Sequence, residues 1–189
     1  MKPKKLGIDL MSMSAHKIHG IKGAGALFVN NSSRISPYVL GGGQENGLFS
    51  GTEATPAICA FGEAVRDIGN IEKNLERVSS LREYFINKIK PSDLITVNSA
   101  DDSLPYIINI SVDGVPSQVM LNSLSAKEIY ISAGSACSKG HRSEVLTAMG
   151  LSPKSIDSAV RISLSKTTTE NELDLLYNGI TEAINRVRR

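Results

Sequence analysis

Apolar side chains recur at Ile58, Phe61, Val65, Ile68, Ile71, Leu75, Val78, Leu81, Phe85 and Ile89. Steps of three and four mark one face of a helix. An unbroken helix of that length would run about 50 Å at 1.5 Å per residue, longer than a small domain is wide. The pattern therefore predicts a bend at Gly69-Asn70, with a first lobe ending near Gly69. Thr55 offers a side-chain N-cap and Pro56 suits the first helical position.

Ahead of that helix, alternation predicts a strand over Leu6–Ser14 and a second over Gly25–Asn30, joined by a turn too rich in glycine for a helix. Gly41-Gly-Gly-Gln-Glu-Asn-Gly has no period and predicts a loop of unusual backbone geometry. Behind the helix, strands are expected at Leu94–Asn98, Tyr106–Val112, Ile129–Ala133 and Val160–Leu164, and helices at Pro116–Ala126, Ser143–Met149 and Pro153–Ala159. Thr169 and Glu172 stand at capping-box spacing before Leu173, Leu176, Ile180 and Ile184, which fixes the start of a last helix. The result is an α/β chain of two lobes, residues 1–69 and 70–189. A sheet of only two strands is too small to stand alone, so the first lobe is expected to be cut at its N-terminus.

Composition adds exclusions. With 41% apolar and 21% charged residues and a net charge of +2, the chain reads as a soluble globular protein. Its cations are scattered except at Lys2, Lys4, Lys5 and at Arg186, Arg188, Arg189, too little for a nucleic-acid surface. No apolar run approaches the roughly 20 residues that span a bilayer, and the N-terminus lacks the apolar stretch of a secretory signal. A cytoplasmic location is expected. The three histidines and two cysteines show no zinc-ligand spacing, so no metal is expected.

Four places could carry chemistry. Ser14-Ala-His-Lys ends a strand and enters a glycine-rich turn, where backbone N–H groups with Ser14 and His16 can hold a phosphate and Lys17 can condense with an aldehyde; equally, Lys17 is a surface lysine in a turn. Thr52, after Gly51 and before a helix, can bind an anionic group or merely cap. Cys137 lies in Ser132-Ala-Gly-Ser-Ala-Cys-Ser-Lys-Gly-His with Lys139, His141 and Arg142 nearby, cations that favour a thiolate, or it fills a turn as a small residue. Arg161 in Val160-Arg-Ile-Ser-Leu can grip a carboxylate bidentately or face solvent. Cys59, on the apolar helical face, reads as a small hydrophobe.

In this order, Ser14-Ala-His-Lys-Ile-His-Gly, Gly41-Gly-Gly-Gln-Glu, Ser50-Gly-Thr, Ser132-Ala-Gly-Ser-Ala-Cys and Val160-Arg-Ile-Ser-Leu closely resemble the cysteine desulfurases of the NifS/IscS type, within the class-V aminotransferases. The resemblance implies the fold-type I transferase architecture that uses pyridoxal 5'-phosphate, here as the C-terminal half: the tail of the large cofactor domain, then the small α/β domain with the cysteine loop. It implies that Lys17 is the cofactor lysine, that Ser14 and His16 contact its phosphate, and that Thr52 reaches the phosphate of the partner subunit in a homodimer. By the same resemblance Arg161 holds the carboxylate of the substrate L-cysteine. Cys137 takes its sulfur as a persulfide, for delivery to a sulfur acceptor or scaffold protein in iron–sulfur cluster or thiocofactor assembly.

The family's chains are about twice this length, and Ile21 and Phe49 stand where it usually has proline and arginine. Other functions stay open: a catalytically silent fragment that dimerises or docks partners, or another enzyme of the fold such as a selenocysteine lyase. An aminotransferase needs no nucleophilic thiol.

Overall fold

The computed structural model describes residues 2–133 and 142–188, and the chain divides into two units, Met1–Asn70 and Ile71–Arg189. In the first unit the opening alternation becomes a strand only at Leu10–Ser14 (β1), because Pro3–Leu6 winds as a 3-10 turn that ends on Gly7 at φ 66°. β1 pairs antiparallel with Gly25–Val29 (β2), Ser14 facing Gly25. The glycine-rich loop is as irregular as its composition predicts: Glu45 and Asn46 both take left-handed backbone, at φ 51° and 56°. Helix α1, Thr55–Asp67, begins one residue before the expected position, so Ala54 occupies the cap and Thr55 is already helical. Gly69, at φ 67°, ends the first helical run before α2, Ile71–Ile89.

Among the described residues of this unit, only Ala15 is fully buried. Leu10, Leu27, Tyr38, Leu40 and Phe49 are exposed, and on the apolar face of α1 Ile58 and Val65 remain about half exposed.

The second unit is built the other way, around a continuous core. Its sheet runs β3-β4-β5, with Ile107–Val112 (β4) central and antiparallel to both Ile95–Val97 (β3) and Ala159–Ser163 (β5). Alternation on β4 sends Ile108, Ile110 and Val112 to one face, where all three lose their solvent exposure against residues that include Phe85 of α2. Burying each such side chain contributes about 1.5–3 kcal/mol before entropy is counted. Helices α3, Ser117–Ser125, and α6, Glu170–Val187, pack closely: a Cβ on Gly179 would lie 2.6 Å from Leu124 Cδ2. The capping box forms in full, with Thr169 Oγ1 accepting from the Glu172 N–H at 3.3 Å and Glu172 Oε2 accepting from the Thr169 N–H at 2.8 Å.

Two short helices, α4 at Glu144–Ala148 and α5 at Pro153–Asp157, share a smaller cluster of Leu146, Ile156 and Ala159. The strand expected at Ile129–Ala133 contracts to one bridge, Ser132 with Arg161. Arg82, buried on the core-facing side of α2, donates to the carbonyls of Asp101 and Ala100 and to Ser103 Oγ, at 3.1, 2.8 and 3.2 Å.

Candidate functional site

In the first unit, β1 delivers the chain into a 3-10 turn, Ala15–Ile18, that carries His16 and Lys17. Buried Ala15 roots the turn: its N–H donates to Ala24 O and its carbonyl accepts from the Gly20 N–H. His19 closes it in left-handed backbone at φ 65°. Gly20 is required by crowding, since a Cβ there would stand 2.9 Å from Ala15 O and 3.1 Å from Ala64 Cβ of α1. Ser14, His16 and Lys17 are thus brought together on one braced turn, all exposed to solvent. Thr52 lies beyond a loop that Ser50 and Gln44 fold on itself: Ser50 Oγ donates to Gly42 O at 2.8 Å, and the Gly51 N–H donates to Gln44 Oε1 at 3.4 Å. Thr52 itself is exposed.

This donor set fits pyridoxal phosphate in its chemistry. A primary amine able to condense with an aldehyde stands beside a hydroxyl and an imidazole that can donate to phosphate oxygens, on a turn whose outer face is open. No group of three or more His, Cys, Asp or Glu that could hold a metal occurs among the described residues.

In the second unit, Arg161 sits in the middle of β5 opposite Asn109 of β4. Its backbone also pairs on the other side with Ser132, by N–H to O bonds of 2.6 and 3.1 Å. Ser132 opens the Ser-Ala-Gly-Ser-Ala-Cys motif, so the structure joins two motifs that are 29 positions apart in sequence, from Ser132 to Arg161. Arg161 Nε is buried without a hydrogen-bond partner among the described residues. A buried guanidinium N–H left unpaired costs free energy that an anionic partner offsets. Arg82 Nε is orphaned too, but its other nitrogens are already committed to the 100–103 loop. Cys137 lies outside the described residues.

Where description resumes, Arg142 forms a bidentate pair with Asp157 at the end of α5, Nε to Oδ1 at 2.8 Å and Nη2 to Oδ2 at 2.7 Å. The hydrogen bond from Arg142 holds the Asp157 carboxyl below its ordinary range, and Asp157 in turn raises Arg142. Arg142 therefore has its charge balanced by Asp157 through Nε and Nη2. Its pairing escapes sequence reasoning because the partners are 15 positions apart and share no local motif.

The family model for class-V aminotransferases matches residues 1–176. The cysteine desulfurase IscS of Vibrio vulnificus strain CMCP6 is 38% identical over 191 residues, covering 98% of this chain and 47% of that protein. The X-ray structure of a NifS-like protein from Rickettsia africae ESF-5 superposes with a TM-score of 0.86 at 32% identity, over 98% of this chain and 50% of that one. Another structure described as a NifS-like protein gives a TM-score of 0.86 at 31% identity, over 97% and 48%. The chain spans about half the length of the curated relatives it matches.

Proposed function

The chain belongs to the class-V aminotransferase family, and from that premise we propose that it is the C-terminal half of a cysteine desulfurase, with Lys17 as the cofactor lysine and Cys137 as the sulfur acceptor. Residues 1–69 are then the tail of the large cofactor domain and residues 70–189 the small domain. Ser14 and His16 donate to the cofactor phosphate from one side, and Thr52 reaches across to the phosphate of a second subunit. Lys17 would hold the cofactor through its Nζ amine, and the same amine, when free, would move a proton on the substrate. Pyridoxal phosphate, when bound, supplies the electron sink that lets the substrate C–S bond break. Arg161 orients L-cysteine by its carboxylate through paired hydrogen bonds. The Cys137 thiolate forms an S–S bond to the substrate sulfur as that C–S bond breaks, leaving alanine and a persulfide for an acceptor protein in iron–sulfur or thiocofactor assembly.

The observation that carries this assignment is the backbone pairing of Ser132 with Arg161, which sets the start of the Cys137 motif beside an arginine whose buried Nε–H has no hydrogen-bond partner among the described residues. A second reading, a silent fragment that serves only as a docking surface, draws support from the first unit, where Ala15 alone is fully buried among the described residues. Radiolabelled sulfur separates the two. With pyridoxal phosphate and [35S]cysteine, the desulfurase places label on Cys137, and both Cys137→Ala and Lys17→Ala lose it while Cys59→Ala keeps it. A chain whose Lys17 binds cofactor but whose Cys137 takes up no label is the silent fragment.

A further inference from the structure

Alternation on β4 and β5 sends Ile108, Ile110, Val160 and Ile162 into the core and leaves Asn109, Ser111 and Arg161 on the opposite face of the sheet. Backbone bonds between the two strands fall at Tyr106 with Leu164 and at Val112 with Ser158. The alternation of antiparallel pairs then makes Asn109 and Arg161 a pair with no bond between their main chains. The main-chain groups of Asn109 turn to the β3 side instead: its carbonyl accepts from the Asn98 N–H at 2.8 Å and its N–H donates to Ser99 Oγ at 2.8 Å. Those of Arg161 turn to Ser132. A pair of this kind brings its Cα atoms to about 4.5 Å and sets its side chains next to one another.

A chain of hydrogen bonds fixes which end of the Asn109 carboxamide faces Arg161. The Ser155 carbonyl can only accept, so buried Ser111 spends its hydroxyl proton there, at 2.7 Å. Ser111 Oγ therefore accepts from Asn98 Nδ2 at 2.8 Å, and the same nitrogen donates to Asn109 Oδ1 at 2.7 Å. With its oxygen turned to β3, Asn109 keeps Nδ2 for the β5 side, and that nitrogen makes no hydrogen bond among the described residues. Arg161 Nε, beside it, is buried and equally without a partner among them. Two adjacent unspent donors suit an acceptor with two oxygens, and a carboxylate takes a guanidinium fork and a carboxamide N–H together. We propose that Asn109 is a substrate-binding residue that shares the carboxylate of an α-amino acid with Arg161, its carboxamide locked as a donor by Asn98, Ser111 and Ser155. The inference rests on the desulfurase reading for L-cysteine as that amino acid. An amine lacking the carboxylate offers these donors nothing, so the pair selects L-cysteine over cysteamine.

NMR spectroscopy of the nitrogen-15-labelled full chain tests it, with the Arg161 Nε–H and Asn109 Nδ2 signals assigned by substitution. L-cysteine and its product L-alanine should each shift both signals along one saturation curve, and cysteamine should shift neither. Asn109→Ser removes the donor without adding charge and should raise the Kd for L-alanine about tenfold or more, the scale of one hydrogen bond to a charged group. Asn109→Asp keeps the shape of the side chain and its acceptor for Asn98 but sets an anion beside Arg161, and should abolish saturation while the melting midpoint stays near that of the parent. A purely structural Asn109 would be replaced by aspartate with no change in Kd.

A silent Asn109 signal overturns the proposal, whether or not Arg161 shifts. So does an unchanged Kd in both variants, and so do equal shifts with cysteamine. Alanine formed from L-cysteine in the presence of pyridoxal phosphate, with Asn109 silent, removes this inference and leaves the desulfurase reading. Carboxylate-dependent shifts at both signals with no alanine formed support the subsite and remove that reading.

Discussion

Lys88 of α2 shows how single side chains tie the second unit together. Its ammonium lies 5.4 Å from the ring centre of Tyr84 and 5.5 Å from that of Tyr177, and it pairs with Asp174 of α6, which also accepts from Tyr84 Oη at 2.6 Å. The hydrogen bond from Lys88, then that from Tyr84, holds the Asp174 carboxyl below its ordinary range, while Asp174 raises Lys88. A lowered carboxylate contributes stability that is present above its unfolded pKa and is lost as pH falls through the folded one; a raised lysine contributes below its unfolded pKa and loses it as pH rises through the folded one. The cluster therefore stabilises across neutral pH and weakens at both extremes. Asp174→Asn should lower the melting midpoint at neutral pH and flatten its fall toward pH about 3, below the usual carboxylate range. Identical acid slopes in the two proteins would count against the cluster. Arg82 marks what residue type conceals: it stands next to Leu81 on the buried side of α2, but a charged side chain interrupts an apolar pattern and reads as solvated.

Among the elements, those specified by local chemistry were legible. Thr169 and Glu172 are three positions apart and form their box as the spacing predicts, and Gly69 breaks the long apolar face where a left-handed residue is needed. Elements fixed by distant partners were not: the alternation at Ile129–Ala133 predicts a strand, but among the described residues Ser132 pairs with Arg161 in a single bridge. The site divides the same way. Ser14, His16 and Lys17 share four positions and one turn, whereas the meeting of Ser132 with Arg161 and of Arg142 with Asp157 depends on how α5 and β5 pack. The turn under Lys17 gives a prediction at this scale. Gly20→Ala would push a Cβ against Ala15 O and Ala64 Cβ, at a cost of about 1–3 kcal/mol for overpacking, and should reduce cofactor capture at Lys17 while Gly23→Ala, where a Cβ meets nothing within 4 Å, tests backbone strain at φ 91° alone. Equal capture by the Gly20→Ala variant and the parent would show that the turn does not hold Lys17 in place.

For the whole molecule, the contrast between the two units decides what each can do alone. The apolar core cluster lies within Ile71–Arg189, whereas Met1–Asn70 keeps Ile21, Leu27, Leu40 and Phe49 at least half exposed. A fragment of residues 71–189 should melt cooperatively near the midpoint of the full chain, while residues 1–70 alone should show no cooperative transition by circular dichroism and should bind a hydrophobic dye. A folded, dye-silent 1–70 fragment would contradict this division. No helix among the described residues is long and apolar enough to cross a membrane. Borohydride fixation tests most directly whether Lys17 is the lysine that takes up pyridoxal phosphate, as proposed. After incubation with pyridoxal phosphate and reduction, peptide mapping should place the adduct on Lys17, with saturation at low cofactor concentration and loss in Lys17→Ala; an adduct spread over surface lysines such as Lys2, Lys4 and Lys90, with no preference for Lys17, would contradict it.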